Sequence, residues 1–237
     1  MNIKTNREVI FEELGLMDYQ TAWDYQERLL QDNLNIKIAN RQRQAEELQR
    51  TSNHLLFVEH PHVYTLGKSG HEENMLIHRD RLKDIEATYV KTNRGGDITY
   101  HGYGQLVAYP VLDLENFYTD IHRYMRDLEE IIIRSIGEYG LKGERSPGET
   151  GVWLDVGKPY ARKICAMGVK ASRWITIHGF ALNVNTDLRY FEYIVPCGIK
   201  DKQVTSLKRE LEKEISMDGV KEKIKKHFQE IFQINWI

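Results

Sequence analysis

The fold class is decided by residues 151–184, which read GVWLDVGKPYARKICAMGVKASRWITIHGFALNV. The apolar residues of this stretch fall into three runs of strand length, rich in Val, Ile, Trp and Phe. VGKP and KAS separate the runs, and both are typical of turns. The pattern therefore predicts an antiparallel meander of three strands.

Helical periodicity is strongest over residues 120–139. Its apolar residues recur at steps of three and four and end before Gly140, a suitable C-terminal cap; they are Ile121, Tyr124, Met125, Leu128, Ile131, Ile132, Ile136 and Tyr139. Such a stripe indicates core packing. Two further amphipathic helices are predicted, one capped by Asp18 and one by Asp218.

The rest of the chain mixes short strands with these helices. HLLFVE at 54–59 predicts a buried strand stopped by Pro61, with 63–66 as its continuation, and 9–13 and 89–92 predict two more strands. The polar residues 40–50 indicate a solvated helical arm. No regular β-α-β alternation is present, so we expect an α+β fold. No repeat or linker divides the chain, and we expect one domain over residues 1–237.

Composition excludes several classes of protein. The 237 residues carry 33 Lys and Arg against 35 Asp and Glu, a net charge of -2, so no overall field recruits nucleic acid or an anionic membrane. Two cysteines cannot form a disulfide scaffold. No signal-peptide pattern or apolar run of membrane-spanning length occurs, and we expect a cytoplasmic protein.

One glycine-rich segment stands between two predicted strands, RGGDITYHGYGQ at 94–105. It matches neither a P-loop nor a GxGxxG turn that opens a helix. Glycine allows a backbone to approach a ligand or to adopt positive φ. A ligand-binding loop and a tight structural turn explain the segment equally well.

A lysine and two cysteines are the other candidates for chemistry. Strand alternation places Lys163 and Cys165 on one face, where a lysine is more often a surface residue than a base with a lowered pKa. Cys197 lies in the turn sequence VPCGI, so it is either a small apolar residue or a thiolate nucleophile. Cys165, inside a strand, fits an inert packing residue better. The chain contains no HExxH, CxxC or GxSxG motif, and we expect no metal.

Together these segments resemble one family, the octanoyltransferases of lipoate biosynthesis, also called lipoyl(octanoyl) transferases. The similarity runs from about residue 19 to 207, and any one motif alone would be weak. The motifs, in the family's order, are EHPHVYTLG (59–67), RGGDITYHGYGQLVAYP (94–110), GVW (151–153), KICAMGVK (163–170), HGFALNVNTDL (178–188), PCGI (196–199) and VTSL (204–207).

The resemblance implies a mixed β-sheet flanked by helices, like that of biotin and lipoate protein ligases. It implies that Cys197 carries an octanoyl thioester and that Lys163 lowers the pKa of Cys197 and moves the proton. The implied substrate contacts are Arg94, Gly95, Gly96, Asp97, Ile98, Thr99, Tyr100, His101, Ala166, Met167, Gly168, Gly179, Phe180 and Ala181.

The implied donor is octanoyl–acyl carrier protein. The implied acceptors are lipoyl domains of 2-oxoacid dehydrogenases and the glycine cleavage H protein. We expect no ATP, metal, nucleic acid or membrane to take part, and a monomer.

Three rival functions share parts of this pattern. A lipoate or biotin ligase would activate a free acid with ATP and would not need Cys197. An amidotransferase would use a cysteine thioester but take its acyl group from a protein lysine. A silent module that only docks lipoyl domains or carrier protein would need neither Lys163 nor Cys197. The retention of both residues favours the transferase.

Overall fold

The computed structural model describes residues 5–195 and 203–237. Its strands are β1 (Glu8–Leu16), β2 (His54–Glu59), β3 (Val63–Leu66), β4 (Thr88–Lys91), β5 (Ile98–His101), β6 (Gln105–Val111), β7 (Val152–Leu154), β8 (Arg162–Ser172), β9 (Ile175–Asn183), β10 (Gln203–Val204) and β11 (Asn235–Trp236). Its α-helices are α1 (Tyr19–Asn40), α2 (Ile121–Gly137), α3 (Leu207–Leu211) and α4 (Met217–Phe232). None of the helices in this described part is long and apolar enough to cross a bilayer.

The large sheet is mixed. Its strand order is β10-β8-β9-β6-β2-β1-β11, and β7 pairs with β8 beside this path. The β1–β2, β1–β11 and β8–β10 pairs are parallel, whereas β7–β8, β8–β9, β9–β6 and β6–β2 are antiparallel. The predicted meander and the α+β class with a mixed, helix-flanked sheet are both confirmed.

Helices cover both faces of this sheet. Along β2, Leu55 and Phe57 pack with α2 and α4, while Leu56 and Val58 pack with α1. All four side chains are buried. The continuous apolar run of β2 is therefore explained by alternate residues entering two cores.

The predicted helices are present, with two differences at their ends. The Asp18 carboxylate accepts a hydrogen bond from the Thr21 N–H at the start of α1, as predicted. The cap of α4 is Ser216, not Asp218, which lies in the first turn. Helix α2 ends at Gly137, three residues before Gly140.

Two other predictions are wrong. Strand β3 does not extend β2; it is the central strand of a second sheet of order β4-β3-β5. The helical arm predicted over 40–50 is absent, because α1 ends at Asn40 and the side chain of Asn40 bonds both the N–H and the C=O of Gln49. These bonds turn the chain back towards β2.

Candidate active site

A cavity of about 550 Å³ lies between the large sheet and the glycine-rich segment. We call the lining residues of β6, β8 and β9 the floor, and residues 94–101 the roof. Roof and floor meet where the Gly95 N–H donates to the Val169 carbonyl at 3.0 Å. The glycine-rich segment therefore borders a cavity, as the ligand-binding alternative requires.

Two floor glycines allow close backbone approach. A Cβ on Gly168 would lie 2.6 Å from the Gly95 carbonyl oxygen, and one on Gly179 would lie 2.2 Å from the Ala108 carbonyl oxygen. Real Cβ atoms do not approach backbone oxygen so closely, and these oxygens are fixed by their own strands or loop. The absence of a Cβ at Gly168 therefore allows the roof to approach the floor, and its absence at Gly179 allows the close spacing of the neighbouring strands β9 and β6.

Arg94 anchors the roof. Its guanidinium donates to the Thr65 carbonyl at 2.6 Å and to the Thr65 hydroxyl at 2.9 Å, and also to the Gly95 carbonyl at 3.0 Å. These bonds tie the glycine-rich segment to β3. Burial, with the nearby Arg94 charge, lowers the pKa of His178 to about 3, so its imidazole is neutral.

A chain of hydrogen bonds joins the roof to the strand that carries Lys163. His101 Nδ1 lies 2.8 Å from Gln105 Oε1, and Gln105 Nε2 donates to Asn183 Oδ1 at 2.9 Å. Asn183 Nδ2 donates to the Thr205 carbonyl, and the Thr205 N–H donates to the Lys163 carbonyl at 2.9 Å. Burial, above all, holds the pKa of His101 well below its usual value, so its ring stays neutral.

Lys163 lines the cavity, but Cys165 does not. The Lys163 ammonium lies 4.6 Å from the centroid of the Trp153 ring. The β7–β8 register shifts at this point, so that Val152 pairs with Cys165 and Trp153 pairs with Lys163. Such an irregularity breaks strand alternation, which is why the prediction of a shared face for Lys163 and Cys165 is wrong.

Cys165 is an inert packing residue, as predicted. Its side chain is fully buried in the core beneath α2. Burial raises the pKa of its thiol far above the usual value, despite the nearby Lys163 charge. A thiol that is protonated and inaccessible cannot act as a nucleophile.

Cys197 lies outside the described residues, but both flanks of its segment are described. On one side, the Val195 N–H donates to the Asn74 carbonyl at 2.7 Å. On the other, Val204 pairs with Lys163 in the β8–β10 ladder. Phe191 and Val204 both line the cavity. One residue on each flank of the segment therefore lies at the cavity.

All but one of the fourteen substrate contacts implied by the resemblance line this cavity. The exception is Tyr100, whose hydroxyl bonds His62 Nδ1 at 2.7 Å and whose ring stacks on Tyr190. The roles of the lining residues stay predictions. Within residues 5–195 and 203–237, no group of three or more His, Cys, Asp or Glu side chains could hold a metal ion.

Sequence reasoning missed several lining residues, among them Tyr19, Tyr109 and His178. His178 Nε2 lies 2.8 Å from Asn93 Oδ1, and its backbone has φ of +60°. His178 directly precedes Gly179, an implied substrate contact, and this position could have indicated that His178 also lines the site. Tyr19 and Tyr109 gave none, because their patterns are those of ordinary core residues of a helix and a strand.

Comparison with known proteins decides the family. The model of the lipoyl protein ligase A/B catalytic domain matches residues 18–229. The chain belongs to this family. An octanoyltransferase of Christiangramia forsetii is 64% identical, over 96% of this chain and 97% of that protein. One of Flavobacterium psychrophilum is 59% identical, over 96% and 97%. The resemblance to octanoyltransferases is thus confirmed, and the chain is an acyltransferase of that group.

Solved structures of the wider family share the fold. A bipartite lipoate protein ligase of Thermoplasma acidophilum, studied with its E2 lipoyl domain, aligns with a TM-score of 0.65 at 21% identity, covering 98% of this chain and 85% of that one. Lipoate-protein ligase A bound with ATP aligns at 0.67 and 17% identity, covering 98% and 87%. At these identities the likeness concerns the fold alone.

Proposed function

We propose that this member of the family transfers an octanoyl group from octanoyl–acyl carrier protein to a lysine of a lipoyl domain, through a thioester on Cys197. The observation that carries the proposal is the position of Lys163. It lines an apolar-floored cavity and pairs with Val204, at the point where the segment containing Cys197 rejoins the sheet.

The first step exchanges one thioester for another. The Cys197 thiolate attacks the donor carbonyl, the bond from that carbon to the carrier sulfur breaks, and the released carrier thiolate takes the proton of the Lys163 ammonium, which leaves Lys163 as a neutral amine. Reactants and products are both thioesters, so the step needs no ATP. A neighbouring Lys163 ammonium lowers the pKa of the cysteine and so raises the fraction of thiolate.

The second step forms an amide. The amine of the acceptor lysine must lose a proton before it attacks the acyl-enzyme, and Lys163 accepts that proton once Cys197 is acylated and neutral. The bond to the Cys197 sulfur then breaks and the thiolate is restored. Thioester aminolysis is downhill, so the chain needs neither a cofactor nor a metal for this step.

The floor suits an aliphatic acyl chain. Val107, Met167, Phe180 and Ala181 line it and supply apolar surface. Burial of six or seven methylene groups at about 0.8 kcal/mol each gives on the order of 5 kcal/mol before ordering costs. This contribution distinguishes an eight-carbon chain from much shorter chains, although one methylene changes the preference by only about 1–3 kcal/mol.

The proposed acceptors are lipoyl domains of 2-oxoacid dehydrogenases and the glycine cleavage H protein. Membership of the lipoyl protein ligase A/B family supports a lipoyl domain as the acceptor. A cytoplasmic location and a monomeric state stay predictions.

The test is octanoyl transfer to a purified lipoyl domain, followed by mass spectrometry of that domain. Octanoyl–acyl carrier protein without ATP is compared with free octanoate plus ATP. We expect transfer from the carrier alone, and its loss in Cys197→Ser. Transfer that requires ATP and free acid would instead establish a ligase.

A further inference from the structure

One strap of chain, residues 67–76, touches both the roof and the segment that leads to Cys197. Towards the roof, the Lys68 N–H donates to the Arg94 carbonyl at 2.9 Å and the Ser69 N–H to the Gly96 carbonyl at 3.3 Å. Towards the other side, the Leu76 N–H donates to the Tyr193 carbonyl at 2.8 Å. The strap therefore lies between two parts of the proposed site.

Asn74 makes both connections with one residue. Its side-chain Nδ2 donates to Asp97 Oδ2 in the roof at 2.6 Å. Its carbonyl accepts the Val195 N–H at 2.7 Å. Met75 extends the second contact through an antiparallel bridge to Ile194. Cys197 follows Val195 by two residues in the sequence.

The hydrogen bond from Asn74 to Asp97 has a carboxylate as its acceptor. A carboxylate acceptor shortens and strengthens a hydrogen bond. The other oxygen of Asp97 accepts the Ile98 N–H at 2.6 Å and the His71 N–H at 3.2 Å, which fixes the orientation of the carboxylate. Asp97 lines the cavity, whereas Asn74 does not.

We propose that Asn74 is a positioning residue, which sets the chain entering the Cys197 segment against the roof through Asp97. The inference rests on the proposed function, because it assigns Cys197 as the nucleophile. It extends that function by naming a contact that ties residues 194–195, which precede the segment containing Cys197, to the substrate loop.

The test reverses the polarity of the pair. Asn74→Asp places two carboxylates, at residues 74 and 97, against each other. Asp97→Asn places the new Nδ2 of residue 97 against the Nδ2 of Asn74, so that two donors face each other. In the double variant Asn74→Asp with Asp97→Asn, residue 97 donates its Nδ2 hydrogen to a carboxylate at residue 74. The Oδ1 atom at residue 97 still accepts the two backbone N–H groups.

The measured quantity is the single-turnover rate of acyl-enzyme formation with octanoyl–acyl carrier protein, without ATP. Loss of a hydrogen bond to a charged group predicts a fall of roughly 10- to 100-fold in each single variant. We expect the double variant to recover to within about threefold of wild type. For Asn74→Asp, the carrier concentration at half saturation should stay within about threefold, because Asn74 does not contact the cavity.

Folded single variants that react at the wild-type rate would overturn the inference, as would a folded double variant slower than both single variants. If a single variant fails to fold, the double variant is compared with wild type: a rate within about threefold supports the inference, and a slower rate in a folded double variant overturns it. Wild type and Cys197→Ser are measured alongside. No adduct on wild type would overturn the proposed function together with this inference. An adduct that needs Cys197 but is insensitive to the pair would overturn the inference alone.

Discussion

The floor and the roof of the cavity are held in different ways. The floor strands β8 and β9 pair without interruption from Cys165 opposite Leu182 to Ser172 opposite Ile175. In the roof, residues 98–101 pair with β3 as strand β5. Residues 94–97 are instead held by single main-chain bonds and by individual side chains, above all Arg94 bonded to Thr65 and Asp97 bonded to Asn74. The main-chain hydrogen bonds of a sheet do not depend on the identity of most side chains. We therefore expect substitutions in the floor to affect activity or stability only where the side chain reacts or where a Cβ cannot fit. Over residues 94–97 of the roof, we expect single polar side chains to determine the geometry.

The largest expected effect is on chemistry at the floor. Lys163→Met removes the proposed proton carrier and should slow octanoyl transfer by roughly 10²- to 10⁴-fold. Lys170→Met is the matched control on the same strand, since its ammonium pairs with Glu27 and should change the rate by less than about threefold. Steady-state transfer to a lipoyl domain measures both. Equal losses in the two variants would contradict a specific role for Lys163.

The second effect concerns packing of the floor. Gly179→Ala would bring a Cβ within 2.2 Å of the Ala108 carbonyl, and we expect the free energy of unfolding to fall by about 3 kcal/mol. Gly137→Ala, at the end of α2 with nothing within 4 Å of its Cβ, should instead gain about 0.5 kcal/mol. Urea unfolding measures both. If Gly179→Ala left the free energy of unfolding unchanged, strands β9 and β6 would have to move apart easily, which would contradict this prediction.

The third prediction tests the roof. Arg94→Met leaves the Thr65 carbonyl without its charged donor and should lower the free energy of unfolding by about 2 kcal/mol. Arg189→Met, which removes an exposed ion pair with Asp187, should have no measurable effect. Thermal and urea unfolding provide the comparison. Arginine variants with the same stability would show that the roof does not depend on Arg94.

The smallest effect is a pH dependence at His60, between β2 and β3. Burial lowers the pKa of His60 to about 4, so between pH 6.5 and 4 the unfolded chain binds a proton that the folded one does not. Stability is therefore complete above pH 6.5 and is lost as the pH falls. Between pH 7 and 5.5 this histidine should account for about 1 kcal/mol. Between pH 7 and 5.5, the free energy of unfolding of His60→Gln should fall by about 1 kcal/mol less than that of wild type. An identical loss would contradict the assignment.

The sequence predicted elements whose pattern is set within the element. The apolar stripe of α2, the Asp18 cap and the meander are all of this kind, because periodicity and turn residues report local geometry. The residues around the cavity were predictable for a different reason, since their motifs match those of a family that the chain resembles.

Other features depend on contacts between distant segments. Nothing in residues 63–66 shows that β3 joins a second sheet, since its partners β4 and β5 come later in the chain. The register shift beside Cys165 arises from its pairing with β7. Asn74 and Asp97 are 23 residues apart, and neither has a pattern that names the other. Tertiary approach selects such pairs, so a single sequence does not disclose them.

The central claim is tested most directly by the intact mass of the protein after mixing with octanoyl–acyl carrier protein in the absence of ATP. The matched variants are Cys197→Ser and Cys165→Ser, since Cys165 is buried with a raised thiol pKa. We predict one octanoyl adduct, released by hydroxylamine, on wild type and Cys165→Ser but not on Cys197→Ser. An adduct that survives in Cys197→Ser, or none on wild type without ATP, would contradict the account.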